Sequence, residues 1–202
     1  EIIITVFMLL FSVNFSVYFL ILCGKLRRAL KSDELRFFVG IVVCSALVIA
    51  FNIQPLFPGD FAAAVRHAFF QVASIISTTG FASADYSLWP VFSQVVLILL
   101  MLVGACAGST GGGIKCARVV LLFKTLQREL NLIIHPRSVR IVKLDGRVVE
   151  ERVLHTVHVF LAAYLLILVA AALVISLDNF SFTTTATAAI ACLSNTGPGL
   201  DL

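Results

Sequence analysis

The sequence predicts an all-α polytopic membrane protein with a short cytoplasmic β-hairpin. Three observations carry that prediction. Of the 202 residues 60% are hydrophobic and only 13% are charged, and the mean hydropathy is +1.04. A soluble domain of this length is about half apolar and about a quarter charged, so this much apolar surface cannot be covered by one soluble core. The basic residues fall almost entirely into two hydrophilic gaps. Finally, apolar stretches long enough to cross a bilayer alternate with stretches that are too short.

The charge pattern sets the topology. Lys25, Arg27, Arg28, Lys31 and Arg36 occupy one gap; Lys115, Arg118, Lys124, Arg128, Arg137, Arg140, Lys143, Arg147 and Arg152 lie in or beside the other. Such clustering is the positive-inside pattern, and it places both gaps in the cytoplasm. The net charge of +4 is therefore assigned to membrane topology and not to nucleic-acid binding, with lipid as the surrounding partner. Asp60, Asp85, Asp178 and Asp201 fall in the remaining loops, on the outer side.

Along the chain, Ile2–Leu22 is expected to be one spanning helix that ends at Gly24. Residues 25–34 form a first cytoplasmic loop. Phe37–Ile53 is a second span, closed by the breakers Asn52, Pro55, Pro58 and Gly59. Phe61–Ile76 is short and apolar, and it ends on Ser77-Thr78-Thr79-Gly80-Phe81. A third long stretch runs from Val91 to about Phe123 and is interrupted by glycines between Gly104 and Gly113. Residues 126–152 form the second cytoplasmic loop, where alternation around Asp145-Gly146 signals a hairpin. Val153–Leu177 is the last full span. Phe182–Leu193 is again short, and it closes on Ser194-Asn195-Thr196-Gly197-Pro198-Gly199. Both ends of the sequence read as cut, so a longer parent protein is expected.

The two short segments resemble each other. Ser77-Thr78-Thr79-Gly80 and Ser194-Asn195-Thr196-Gly197 agree at three of four positions, and an Asp follows each glycine within five residues. Between the two basic gaps the chain can return to the cytoplasm only if Phe61–Ile76 enters and leaves on the outer side, which makes it re-entrant. Non-helical backbone at membrane depth must line a watery path or be buried in protein, and carbonyls turned toward such a path replace the hydration shell of a cation. Thr78, Thr79, Gly80 and Phe81, with Asn195, Thr196, Gly197 and Pro198, suit that task. Glycine supplies the backbone angles and threonine adds hydroxyl oxygens.

The stretch Gly104-Ala-Cys-Ala-Gly108-Ser109-Thr110-Gly111-Gly112-Gly113-Ile-Lys115 has two open readings. It is either an unwound, flexible loop in the path that acts as a gate, or a site of close helix packing through small residues. A nucleotide-binding loop is disfavoured, because Lys115 is followed by Cys116 where Ser or Thr is required and no strand precedes it. The five cysteines sit in apolar surroundings without metal-ligand spacing, as small hydrophobes. His155 and His158 are expected at a membrane interface, and Arg66 as an anchor or as the partner of a nearby acid. No catalytic constellation is expected. The competing function class is a membrane carrier or enzyme that uses the short segments as substrate loops.

Ile-Ile-Ser-Thr-Thr-Gly-Phe with Ser-Leu-Trp-Pro downstream, Ala-Gly-Ser-Thr-Gly-Gly-Gly-Ile-Lys, and Ser-Asn-Thr-Gly-Pro-Gly-Leu resemble the Trk/Ktr/HKT superfamily of potassium transporters, and within it the bacterial Trk pore-forming subunits. His135-Pro136-Arg137 and the hairpin at Asp145-Gly146 add to the likeness. The resemblance implies potassium uptake across the bacterial inner membrane, by tandem helix–pore-loop–helix repeats of potassium-channel type. It implies that residues 1–24 are the last helix of repeat two, 35–125 repeat three, and 153–202 a truncated repeat four. Thr78–Phe81 and Asn195–Pro198 would belong to a selectivity filter that holds potassium. Gly108–Gly113 and Lys115 would form the loop that obstructs the pore. Also implied are a homodimer, a cytoplasmic nucleotide-binding regulatory subunit, and no covalently bound cofactor.

Overall fold

In a computed structural model, residues 1–135, 141–197 and 199 are described. Among these residues the chain is a set of helices with one small two-stranded antiparallel sheet. It opens with α1 (Ile2–Ser12) and α2 (Phe15–Leu22), followed by a single turn, α3 (Leu26–Ala29), and then α4 (Asp33–Ile53).

The first expected span is not one helix. α1 and α2 meet at 90° across Val13 and Asn14. Local chemistry explains the break. The Ser12 hydroxyl donates back to the Met8 carbonyl (2.7 Å), a bond that loosens the last turn of a helix. Asn14 then caps α2 by accepting from the Ser16 amide (2.8 Å). Hydropathy does not register this joint, because both sides of it are apolar.

α4 and α8 (Glu151–Ile175) are each long and apolar enough to cross a membrane, and the bent α1/α2 pair brings the number among the described residues to as many as three. α5 (Phe61–Ile76) has 16 residues, a length of about 24 Å against the ~30 Å of a hydrocarbon core. Asp60 caps it by accepting from the Ala63 amide. α5 is the buried centre of the molecule: Ala64, Ala68, Val72, Ala73, Ile75 and Ile76 are wholly enclosed. It packs against α1, α4 and α6 (Val91–Val103). Alanines on α5 and α4 let the two helices approach closely, as in other membrane interfaces.

After α6 the chain leaves helical conformation for residues 104–115 and resumes in α7 (Cys116–Ile134). α7 therefore extends beyond the apolar stretch, into residues expected as loop. β1 (Lys143–Leu144) and β2 (Arg147–Val148) pair around Asp145-Gly146, with Lys143 opposite Val148. Asp145 and Gly146 take positive φ values of 51° and 77°, the type I′ requirement of a two-residue turn. The hairpin tip is docked on the start of α4. The Asp33 amide donates to the Asp145 carboxylate (2.6 Å), and the Asp145 amide donates to the Asp33 carboxylate (3.2 Å). Lys124 Nζ bridges Asp33 Oδ2 (2.5 Å) and the Lys143 carbonyl (2.8 Å).

α8 leads to α9 (Phe182–Ser194), capped by Ser181 through the Thr184 amide (3.1 Å). Arg66 pairs with Glu1 at 3.0 Å, so its partner is an acid far away in sequence. All five cysteines are free thiols. His158 Nδ1 bonds the Leu154 carbonyl within its own helix, and no cluster of metal-ligating side chains occurs among the described residues.

Candidate functional site

The C-terminal ends of α5 and α9 share one backbone geometry. Thr78 and Asn195 both have φ of 58°, and Gly80 and Gly197 have φ of 76° and 103°. Left-handed backbone is uncommon for residues with a Cβ, and its recurrence at corresponding positions ties the two segments together. Their hydrogen bonds also correspond. Thr78 and Asn195 donate their amides three residues back, to Ile75 and Cys192, while Thr79 and Thr196 donate five residues back, to Ser74 and Ala191. Alternation of left-handed with other backbone conformations turns successive carbonyls toward a common side. That is the requirement for a row of oxygen ligands.

Side chains brace each segment. Ser77 Oγ lies 2.6 Å from Thr79 Oγ1, and Ser74 donates its hydroxyl to the Phe81 carbonyl. In the second segment, the Tyr164 hydroxyl of α8 lies 2.9 Å from Ser194 Oγ. Tyr86 donates to the Gly199 carbonyl at 3.0 Å, which braces the chain after one segment against the chain after the other. Tyr86→Phe removes only that bond. It is expected to lower the thermal stability of the full-length protein by about 1 kcal/mol, measured by the melting of its gel-filtration peak. Thr79 and Phe81 are exposed, whereas Thr196 is buried and its hydroxyl has no partner among the described residues. Pro198 lies outside the described residues.

The glycine-rich loop sits between the two segments. The Gly112 amide donates to Thr78 Oγ1 (2.8 Å). A Cβ on Gly112 would fall 2.1 Å from the Ser194 carbonyl oxygen, and one on Gly111 would fall 2.7 Å from Ala105 Cβ and 3.1 Å from the Ser77 carbonyl oxygen. The helix is unwound, and the small residues serve close packing, but against the segment ends instead of another helix.

The base of the loop is closed on itself. Ile114, Lys115 and Cys116 donate their amides to the carbonyls of Leu102, Val103 and Ala105. Lys115, at φ 82°, folds its ammonium back onto the Gly111 carbonyl. Ser109 donates its hydroxyl to Cys106 (2.6 Å), and Thr110 donates to the Phe11 carbonyl (3.3 Å). Gly108 accepts from the Phe15 amide. A cavity of about 350 Å³ opens between α1, Thr79, Phe81 and Thr110, so parts of one segment and of the loop face a common space.

Two groups in this assembly escaped the sequence reading. The Asn14 side chain sits at the α1/α2 joint beside Gly108, 3.2 Å from where a Cβ on that glycine would stand. Glu34 is buried at the start of α4 and reaches the loop. Ser32-Asp33-Glu34 reads as an ordinary acidic helix start, which hides that Glu34 points inward.

A helical membrane chain in which two Thr-Gly helix ends with left-handed backbone flank a glycine-rich loop is of the class of cation transport proteins. A family profile described as "TrkH: Cation transport protein" matches residues 1–201, and the chain belongs to that family. The Trk system potassium uptake protein TrkH of Escherichia coli (strain K12) is 36% identical over 207 residues, covering 98% of this chain and 41% of that protein. The Trk system potassium uptake protein TrkG of the same strain is 34% identical over 194 residues. Among solved structures, the potassium transporter TrkH from Vibrio parahaemolyticus superposes with a TM-score of 0.89 at 34% identity, over 97% of this chain and 43% of that one. The chain thus spans about two fifths of the length of these relatives.

Proposed function

We propose that this chain forms part of the translocating subunit of a potassium uptake system in the bacterial inner membrane. The observation that carries the reading is the matched pair of left-handed Thr-Gly ends, with φ 58° and 76° in one and 58° and 103° in the other. Thr78–Phe81 and Asn195–Pro198 supply two sides of a selectivity filter, whose carbonyl oxygens and threonine hydroxyls replace the water around potassium. Potassium is the substrate, with no covalently bound cofactor and no catalytic residue. The remaining filter segments come from the rest of a longer protein, as the span of the relatives suggests.

Gly108–Gly113 and Lys115 act as the gate. The loop lies against both filter segments through Gly111 and Gly112 and obstructs the path until it withdraws. The basic cytoplasmic face, with the hairpin around Asp145-Gly146, suits a nucleotide-binding regulatory subunit, and the complete protein works as a homodimer. α5 and α9 are re-entrant: in a full-length protein without its native cysteines, cysteines placed at Pro58 and Ser83, on either side of α5, are expected to react with an impermeant thiol reagent from the same, outer face, and labelling from opposite faces would contradict that topology.

The function itself is tested with the full-length protein in a bacterium that lacks its own potassium uptake systems. Restored growth in low potassium is expected. Failure to grow despite correct insertion would refute the proposal.

A further inference from the structure

We propose that Glu34 is the positioning residue of the glycine-rich loop, a staple whose carboxylate fastens both ends of the loop to the α1/α2 joint. This rests on the reading of that loop as a gate. Glu34 is only 6% exposed. Its Oε1 accepts from the Ala107 amide (2.5 Å) and from the Ala117 amide (3.1 Å). Ala107 lies just before Gly108–Gly113 and Ala117 just after Lys115, so a single oxygen closes the base of the loop. Its Oε2 accepts from Asn14 Nδ2 (3.3 Å), and Asn14 in turn caps α2 through the Ser16 amide.

The arrangement suits a carboxylate for two reasons. The first amides of α7 carry the positive end of the helix dipole, which favours a negative group. Bonds from amides to an ionised acceptor are also stronger than those to a neutral one, which matters because Glu34 has no salt bridge among the described residues. A cap needed only for helix stability would come from the residue that starts α7, yet Lys115 makes no side-chain capping bond there. The cap comes instead from α4, and it ties down the loop entrance as well as the helix. The preceding residue, Asp33, is held by the hairpin through Asp145 and by Lys124. Residues 33 and 34 therefore join the cytoplasmic hairpin on one side to the gate on the other.

The test uses full-length protein reconstituted in proteoliposomes, with rubidium as the transported ion. Glu34→Ala, and Glu34→Met, which keeps the volume without an acceptor, are expected to raise maximal flux at least about tenfold, as loss of the two charge-assisted bonds to the loop amides implies. The rubidium concentration for half-maximal flux stays unchanged, because Thr78–Gly80 and Asn195–Gly197 are untouched. Glu34→Gln is expected to fall between wild type and Glu34→Ala, since its amide oxygen still accepts from both loop amides but without the charge, and its NH2 group cannot accept from Asn14, whose own oxygen stays on the Ser16 amide. A variant lacking Gly111–Gly113 opens the path independently of Glu34. If that variant conducts more while folded Glu34→Ala and Glu34→Met conduct as wild type, the staple is overturned and the gate stands. If the shortened loop itself changes nothing, the gate reading falls and the staple with it. A Glu34→Gln protein as leaky as Glu34→Ala, or a failure of both Glu34→Ala and Glu34→Met to fold, would likewise overturn the assignment.

Discussion

Gly80→Asp is expected to abolish potassium uptake by the full-length protein while leaving its insertion and abundance intact. Gly80 stands at φ 76°, where a side chain strains the backbone by about 1–2 kcal/mol. It lies at the end of a short run fixed by the Thr79 amide on Ser74 and the Ser74 hydroxyl on Phe81, so the strain is passed to the carbonyls of Thr79 and Gly80 themselves. Each ~1.4 kcal/mol of lost ion stabilisation lowers occupancy about tenfold, and the added carboxylate traps a cation beside the path. Rubidium uptake in cells is expected to fall at least about a hundredfold, by the same conversion. Uptake at the wild-type rate would remove Gly80 from the filter.

Gly112→Ala is expected to have the opposite sign. Its Cβ would fall 2.1 Å from the Ser194 carbonyl oxygen and 3.2 Å from Asn195 Cβ, and one of the two chains must move. The second segment is anchored by the Tyr164 hydroxyl on Ser194 and by the Thr196 amide on Ala191. The loop near Gly112 is held to the first segment by one bond to Thr78 and has no helical hydrogen bonds of its own. The loop therefore yields. Overpacking of this kind costs about 1–3 kcal/mol; on the proposal that the loop obstructs the path, that cost falls on the obstructing state, and flux is expected to rise by roughly tenfold to a hundredfold. Patch recording or rubidium flux in proteoliposomes measures it. A fall in flux with altered ion preference would mean that the filter had moved instead.

Much of this arrangement was legible in the residues. The breakers Pro55, Pro58 and Gly59 set the start of α5, which runs from Phe61 to Ile76 as expected. Asp145-Gly146 marks the hairpin turn, and the recurring Ser-x-Thr-Gly pattern identifies the two ends that take left-handed backbone. Composition and charge clustering establish the membrane class. What remained hidden depends on contacts distant in sequence. The joint at Val13-Asn14 lies inside a continuous apolar run; the Ser12 and Asn14 bonds loosen and restart the helix there, while the Gly108 carbonyl that takes the Phe15 amide comes from far along the chain. Glu34 is hidden by an acidic helix start that suits solvent equally well. The reach of α7 to Ile134 goes beyond its apolar stretch because its last turns lie along the hydrophilic gap.

The central claim is that both Thr-Gly ends face one ion path. Its most direct test is anomalous diffraction from crystals of the full-length protein soaked in rubidium. The account predicts rubidium density within ligand distance of backbone oxygens from both Thr78–Gly80 and Asn195–Gly197, and loss of that density in Gly80→Asp. Rubidium bound elsewhere, with neither segment contributing an oxygen, would contradict it.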